Sequence, residues 1–267
     1  MGHLTIELAS DPNGRTFIRD QSFRAPMHLS KPYWDSRYLV VQAVNCTAGL
    51  FNGDRIDFTV QARGGSRSLV TSPSAQRAHP RRTSDGVALV EQHFTVEAGA
   101  WLEICPEIFI PHQGSRVRQN TRIEAQSGGE LLYVESLAPG RVGSGEAFAY
   151  ERLDWLTELR IDGELAVRER YALEANGGSV ELLRGHFPYY ASAFLLSPQL
   201  AQVTQFRQEI AALSDVETRI AASFPMAGLA VVKMLAANSL ALRRCIRQFR
   251  EMSYASLARP LPGWRKW

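Results

Sequence analysis

Glutamates inside apolar, strand-like segments are the residues of this sequence with the clearest chemical potential. In the segment 101–110, alternation places Glu103 and Glu107 on the same face as Trp101 and Cys105. A carboxylate on an apolar face must be paired, protonated or in contact with water. One interpretation is a solvated outer face. The other is an internal polar path, in which carboxylates roughly 7 Å apart along a strand pass a divalent cation from one to the next.

Paired carboxylates are also the catalytic groups of glycoside hydrolases, which place them roughly 5 to 10 Å apart. Clefts of such enzymes gather aromatic side chains, whereas the tryptophans of this chain, at positions 34, 101, 155, 264 and 267, are dispersed. The sequence also lacks a Walker loop, a GxGxxG turn, a GxSxG elbow and an HExxH helix. We therefore expect no enzymatic activity, with a glycosidase as a minor alternative.

The composition is that of an ordinary globular protein. Of its 267 residues 45% are hydrophobic, and the net charge of +3 is too small and too dispersed to indicate nucleic-acid binding. The cysteines Cys46, Cys105 and Cys245 form no CxxC pair and predict neither a disulfide framework nor a zinc site. The N-terminus lacks a signal-peptide pattern, and no segment approaches the roughly 20 apolar residues of a membrane span. We expect a cytoplasmic protein that binds neither nucleic acid nor membrane.

Short segments of strand character recur up to about residue 190, each closed by glycine, proline, aspartate or serine. The predicted strands are 40–44, 55–62, 68–71, 88–96, 101–110, 121–125, 130–135, 148–161, 164–173 and 179–183. Glycine-containing turns are predicted at 63–66, 97–100, 126–129, 162–163 and 176–178. This pattern indicates a β-rich part over residues 1–190.

After residue 190 apolar residues recur at spacings of three and four, which is typical of a buried helical face. The face of the first predicted helix consists of Leu200, Val203, Phe206, Ile210 and Leu213. A strand at 229–235 follows, and then a second helix capped by Ser239 with an apolar stripe of Leu242, Ile246 and Phe249. We expect one domain over residues 1–267, with a helix-containing part at 191–267.

The segment 48–54, AGLFNGD, resembles the AGG-L-x-GGD segment of UreD (UreH) proteins, the urease accessory proteins. Gly49 and Gly53 permit backbone geometries closed to residues with a Cβ, and Asp54 can cap the turn. Similar segments follow in the family's order: 69–79 resembles LLTTQAATKVY, 102–110 resembles LExLPExxI, 114–119 resembles GARxxQ, and 137–148 resembles LGRxAxGExF. The run from 228 to 267 resembles the family's ending. Asn52, Pro73, Gln76 and His79 depart from the family pattern.

The resemblance implies a mostly β fold of irregular stacked β-sheets with a β-helix-like topology and two helices near the C-terminus. It also implies a non-catalytic scaffold that binds apo-urease and UreF, which in turn docks the nickel-loaded GTPase UreG. Such a scaffold assists the insertion of nickel into the urease active site. No cofactor is then expected to be tightly bound, and Ni²⁺ passes in transit. A β-rich binding module unrelated to urease is the alternative.

The resemblance also suggests which residues serve these roles. The residues expected along the metal path are Asp54, Glu103, Glu107, Glu135 and Glu146, with Cys46 and His112 as softer ligands. Structural alternatives are a turn cap for Asp54 and support of the turn at 143–145 for Glu146. The residues expected to shape the motif turns are Gly49, Gly53, Gly140, Arg141 and Gly145. Ile246 and Phe249 are expected to pack on the β core or to bind UreF.

Overall fold

The computed structural model describes residues 1–80, 86–174, 185–200 and 203–263. The strands in these ranges are β1 (Gly2–Ser10), β2 (Thr16–Arg24), β3 (Met27–Leu29), β4 (Tyr33–Asp35), β5 (Tyr38–Asn45), β6 (Arg55–Ala62), β7 (Arg67–Thr71), β8 (Gln76–Ala78), β9 (Ala88–Val96), β10 (Trp101–Ile104), β11 (Phe109–Pro111), β12 (Arg116–Ala125), β13 (Glu130–Leu137), β14 (Arg152–Ile161), β15 (Glu164–Glu174), β16 (Tyr189–Leu196), β17 (Thr218–Met226) and β18 (Leu229–Ala236). The helices are α1 (Val203–Ala212) and α2 (Ser239–Ser256), and a 3₁₀ turn spans Val142–Ser144.

The strands form two stacked sheets. Sheet A has the order β15, β14, β12, β9, β6, β1, β2, and sheet B has the order β17, β18, β16, β13, β10, β7, β5, β3, with β4, β8 and β11 attached at its side. From β5 to β14 the chain alternates between the sheets, apart from the short β8 and β11, which follow β7 and β10 on the side of sheet B. The strands β5, β7, β10 and β13 of sheet B are parallel neighbours in that order, and so are β6, β9, β12 and β14 of sheet A. This winding is that of a β-helix. The expected fold of irregular stacked sheets with a β-helix-like topology is confirmed.

The turns that lead from sheet A to sheet B lie against one another. The Gly65 N–H donates to the Gly99 carbonyl (3.3 Å), and the Gly99 N–H donates to the Gly128 carbonyl (2.9 Å). All three glycines have positive φ, between +74° and +83°, which residues with a Cβ rarely adopt. The turn between β14 and β15 lies beside them, because its Asp162 accepts the Ser127 N–H at Oδ1 (3.0 Å). The turns predicted here are therefore confirmed, and the one predicted at 176–178 lies outside the described residues.

Three layers enclose two apolar cores. The inner faces of sheets A and B bury the larger core, which includes Leu4, Phe94 and Leu131. Beyond β15 the chain adds β16, β18 and β17 to sheet B in antiparallel order. Helices α1 and α2 cover the other face of sheet B, and a second core with Trp101 and Phe249 lies between them and the sheet.

The predicted strands differ in how well they match. Those at 55–62 and 88–96 coincide with β6 and β9, because alternation of buried and less buried residues marks their length. The single strand predicted at 101–110 is wrong: Pro106 has no N–H to donate, and the segment divides into β10 and β11. The strand predicted at 148–161 begins only at Arg152. The strand predicted at 179–183 lies outside the described residues.

Both predicted helices are present after β16. Helix α1 spans Val203–Ala212, so Leu200 is buried ahead of the helix rather than on it. Ser239 is the first residue of α2, but the cap is Asn238, whose Oδ1 accepts a first-turn N–H at 2.9 Å. Within the described ranges, neither helix has the length and apolar character that crossing a bilayer would require. The prediction of one domain over 1–267 stays a prediction.

Candidate functional site

Glu103 lies on β10 and is fully buried between sheet B and α2. Both of its oxygens accept hydrogen bonds from the Arg250 guanidinium, with the Nη2 to Oε2 bond at 3.0 Å. The Tyr254 hydroxyl donates to the same Oε2 (2.7 Å) and accepts the indole N–H of Trp101 (3.0 Å). We call these four residues the Glu103–Arg250 cluster, which holds α2 against β10.

Arg250 neutralises the charge of Glu103. Burial alone would lower the pKa of Arg250, but the adjacent Glu103 carboxylate outweighs it and raises that pKa. Burial, together with the Glu103 charge, raises the pKa of Tyr254 well above its usual range, so the phenol stays a hydrogen-bond donor. The interpretation of a solvated outer face is therefore wrong for Glu103. Its oxygens are engaged by protein donors.

Glu135 lies on β13 and faces the core between the two sheets. Its Oε2 accepts hydrogen bonds from the Tyr133 hydroxyl (2.7 Å), the Trp155 indole N–H (3.0 Å) and the Thr157 hydroxyl (3.2 Å). Its Oε1 is buried without a hydrogen-bond partner. Among the residues that the structure describes, no basic side chain forms a salt bridge with Glu135. The donors around this carboxylate are thus all neutral.

Burial raises the pKa of Glu135, and the hydrogen bonds from Tyr133 and Trp155 oppose the rise. An ion pair between Lys233 and Glu169 lies close enough to act on the same carboxyl group: Glu169 raises its pKa, and Lys233 lowers it. Glu135 therefore belongs to a small polar region inside an otherwise apolar core. A neighbouring cation would favour its ionised form.

Polar side chains connect Glu135 with a cavity. The phenol of Tyr133 contacts the Thr121 hydroxyl, which donates to Gln92 Oε1 at 3.0 Å. Gln92 lines a cavity of about 110 Å³ between the inner face of sheet A and the segment 70–77, which we call the inter-sheet cavity. Three polar side chains thus lead from this cavity to the carboxylate.

Glu107 follows β10 and lines two cavities. One is the inter-sheet cavity, and the other, of about 530 Å³, lies between α2, the segment 105–108 and the segment 261–263. We call the second the helix cavity. The Glu107 side chain is 11% exposed and forms a salt bridge with Arg243 of α2 at 3.4 Å. Glu107 therefore stands where the linings of the two cavities meet.

Asp54 has the geometry of a turn cap. Its Oδ2 accepts the Phe51 N–H (2.8 Å), and its own N–H donates to the Phe51 carbonyl (3.0 Å). Gly49 has φ +150°, and a Cβ there would lie 2.4 Å from the Arg77 carbonyl oxygen. Gly53 has φ +83°. The glycine-rich segment is therefore a tight turn, and a place for Asp54 on a metal path stays a prediction.

Arg141 and Glu146 close the loop that follows β13. The guanidinium donates to both carboxylate oxygens, with the Nε to Oε2 bond at 2.9 Å, and the Gln113 N–H also donates to Oε2 (3.1 Å). The bond from Arg141 lowers the pKa of Glu146. Gly140 and Gly145 have φ +146° and +76°. Glu146 supports this loop as an ion-paired carboxylate.

The two softer ligand candidates lie in different environments. His112 is 7% exposed, and its ring centre lies 4.5 Å from that of His79, which stacks on Phe51. Burial and the neighbouring His79 lower the pKa of His112, so its imidazole is neutral at pH 7. Cys46 is exposed. In the described part of the chain, no three His, Cys, Asp or Glu side chains converge to hold a metal ion.

The two residues predicted on the apolar stripe of α2 also differ. Phe249 has no exposed surface and packs in the core, so it has no surface to offer a partner. Ile246 is partly buried and lines the helix cavity together with Ile108, Leu240 and Leu261. Leu240 is 72% exposed. An accessible apolar surface therefore exists beside Ile246.

The sequence-based expectations missed the polar neighbours of Glu135, namely Gln92, Thr121, Tyr133, Trp155 and Thr157. A signal for them exists in the strand alternation. Gln92 stands in phase with Val90 and Phe94 of β9, both of which face the core between the sheets. A polar residue in phase with core residues predicts a hydrogen-bond partner inside the core.

The family model described as UreD urease accessory protein matches residues 1–267. The chain is 50% identical over 171 residues to the urease accessory protein UreD of Opitutus terrae, covering 63% of this chain and 62% of that relative. It is 31% identical over 219 residues to UreD of Mycolicibacterium gilvum, covering 80% and 78%. It is 31% identical over 151 residues to the urease accessory protein UreH of Helicobacter pylori strain P12, covering 56% of each.

Proposed function

Because the chain belongs to the UreD family of urease accessory proteins, we propose that it is a non-catalytic cytoplasmic factor that assists nickel insertion into apo-urease. The observation that carries this proposal is the carboxylate of Glu135. It is buried between the sheets, has only neutral donors and keeps one oxygen without a partner. A carboxylate in this state attracts a divalent cation more strongly than one already paired with arginine.

The proposed route for the metal starts at the helix cavity. Glu107 is its first carboxylate, because it lines both this cavity and the inter-sheet cavity. Gln92, Thr121 and Tyr133 then offer oxygen atoms on the way to Glu135. Glu103 leaves the proposed path, since Arg250 and Tyr254 engage its oxygens.

The ligands on this route suit a cargo that must be released again. Oxygen donors bind divalent transition metals less tightly than thiolate or imidazole sets do, and no closed set of three ligands occurs in the described ranges. Weak sites in sequence allow a metal ion to enter and to leave. We therefore propose that Ni²⁺ is cargo on this chain and not a resident cofactor.

The proposed partners are UreF, the GTPase UreG and the apo-urease subunits. The surface that we assign to UreF is the rim of the helix cavity, where Leu240 is 72% exposed and Ile246 and Leu261 line the wall. An accessible apolar patch of this kind marks a protein-binding surface. Replacement of Ile246 with Asp should abolish UreF binding, because a partner would have to bury the new charge.

The glycosidase alternative loses its proposed chemistry. Glu103 would have to act as an acid or a nucleophile, but it is buried and bound to Arg250. An unrelated β-rich binding module is likewise not supported, since the family match extends over residues 1–267.

Co-expression with urease subunits tests the proposed function directly. Urease produced with UreF, UreG and this chain should contain nickel and be active. At limiting metal, urease produced without this chain should contain less nickel and be less active. Equal nickel content and equal activity in the two preparations would contradict an accessory role.

A further inference from the structure

The outer face of sheet A is rich in arginine over three adjacent strands. The even-numbered residues of β12 and β14, and those of β15 from Arg168 onward, point away from the core, because their odd-numbered neighbours are buried or face the other sheet. The charged residues on this face are Arg116, Arg118, Arg122, Arg152, Arg160, Arg168, Arg170, Glu124, Asp154, Glu158 and Glu174. Arginines therefore outnumber carboxylates, and we call this surface the arginine face.

Its two central carboxylates lie beneath the arginines. The side chain of Asp154 is 8% exposed and has guanidinium nitrogens of Arg118, Arg152 and Arg170 within 3.4 to 3.6 Å. One acid is thus shared by three bases. These arginine side chains keep 42% to 61% of their surface exposed.

The second central carboxylate repeats this arrangement. Glu158 is 10% exposed, accepts a hydrogen bond from Arg168 Nε (2.7 Å), and has Arg160 Nε at 3.9 Å. Arg168 is 57% exposed. At both positions the acid orients the guanidiniums, and the layer that meets solvent is cationic. A cavity of about 470 Å³ between Arg118, Arg168 and Arg170 lies in this layer.

The other half of the same sheet has the opposite balance. On the outer faces of β1, β6 and β9 the charged residues are Glu7, Arg55, Asp57 and Glu91. The edge strand β2 adds Arg19, Asp20 and Arg24. Carboxylates therefore slightly outnumber arginines there. The cationic character is therefore a property of one half of sheet A and not of the protein surface in general.

We propose that the arginine face is a docking surface for a partner protein that presents a cluster of carboxylates. Charge complementarity favours this partner. On the arginine face several guanidiniums share one carboxylate, so Asp and Glu side chains of a partner protein can form further bidentate bonds with them. Arginine is also enriched in protein interfaces, because its planar head makes several bonds in a fixed geometry. The inference rests on the proposed accessory role, which supplies the proteins to be tested.

The test measures binding of purified UreF and of purified apo-urease, each separately, to the full chain. The variant is Arg168→Gln with Arg170→Gln. The matched control is Arg19→Gln with Arg55→Gln, two exposed arginines of β2 and β6 in the other half of the sheet. The first variant should weaken binding of one of the two proteins by about tenfold or more, and the control should stay within about twofold.

Salt provides a second readout that needs no variant. Affinity of the unaltered chain for the same protein should fall between about 50 and 300 mM salt, since exposed charges are screened. Unchanged affinity in the double variant, or affinity independent of salt, would overturn the inference. Binding of inorganic phosphate and of phosphatidylserine vesicles is measured in parallel. If the double variant loses binding to these anions alone and keeps its affinity for both proteins, the inference is also overturned. If the unaltered chain binds neither protein, the proposed function and this inference both fail. If the unaltered chain binds one of them and the double variant binds it equally well, this inference fails alone.

Discussion

Glu103 and Glu135 lie on the neighbouring parallel strands β10 and β13, yet their surroundings are opposite. Glu103 faces the helices, and Arg250 and Tyr254 engage both of its oxygens. Glu135 faces the other sheet, has three neutral donors on one oxygen and none on the other. Two glutamates of similar burial therefore serve different purposes. The first holds a helix in place, and the second keeps one oxygen without a donor, which is the basis of its proposed role on the metal path.

The largest expected effect comes from breaking the pair at Glu103. Glu103→Gln leaves the Arg250 guanidinium buried without its counter-charge, and we expect a loss of about 3–5 kcal/mol in the free energy of unfolding. Urea denaturation measures it. The matched control is Glu103→Leu with Arg250→Met, which removes both charges and should recover most of the loss. A loss below about 1 kcal/mol in Glu103→Gln would show that the cluster does not hold α2.

Removing the hydroxyl group of either of two tyrosines should cause a loss of intermediate size in the free energy of unfolding. Tyr254→Phe removes the donor to Glu103 and leaves the buried indole N–H of Trp101 without its acceptor. Tyr133→Phe removes one of three donors to Glu135. We expect losses of about 2–3 kcal/mol and about 1 kcal/mol, respectively, by urea denaturation. The reverse order would contradict the assignment of Glu103 as the structural carboxylate.

A smaller effect follows from the raised pKa of Glu135. The folded protein holds a proton on this group at pH values where the unfolded chain, with a glutamate pKa of about 4.3, has already released it. Stability from this group is therefore present at low pH and falls as pH rises through the folded pKa. Glu135→Gln should remove that decline, so the variant should gain stability relative to the unaltered chain as pH rises.

Unfolding measured at several pH values checks this prediction. The control is Glu124→Gln at a side chain that is 48% exposed. A constant difference in stability between Glu135→Gln and the unaltered chain at every pH would contradict a raised pKa for Glu135.

Much of the fold could be predicted from sequence, because local patterns determine it. Alternation marks β6 and β9 to their ends, and glycines that need positive φ mark the stacked turns. The stacked sheets and their β-helix-like topology were expected only from the family resemblance, and the order of strands within each sheet was not predicted. The break at Pro106 was readable from the residue itself, since a proline cannot donate in a ladder.

The candidate site was less predictable, because its contacts join distant parts of the chain. Arg250 follows Glu103 by 147 positions, and no local pattern connects them. Glu135 was more accessible to prediction, since it stands in phase with Tyr133 and Leu137, which face the core between the sheets. Alternation predicts that a carboxylate is buried, but it does not predict whether its hydrogen-bond donors are charged or neutral side chains.

Nickel content of urease matured with Glu135→Gln is the most direct test of the central claim. Gln keeps the volume and the hydrogen-bonding capacity of the side chain but loses the anionic oxygen. The variant should form the same complex with UreF, UreG and urease. At limiting nickel, the urease matured by it should contain at least roughly threefold less nickel, because the path has lost one anionic ligand. Excess nickel should restore part of it by mass action. Glu124→Gln should behave as the unaltered chain. Full nickel loading by an assembled Glu135→Gln variant at limiting metal would contradict a role for Glu135 in nickel delivery.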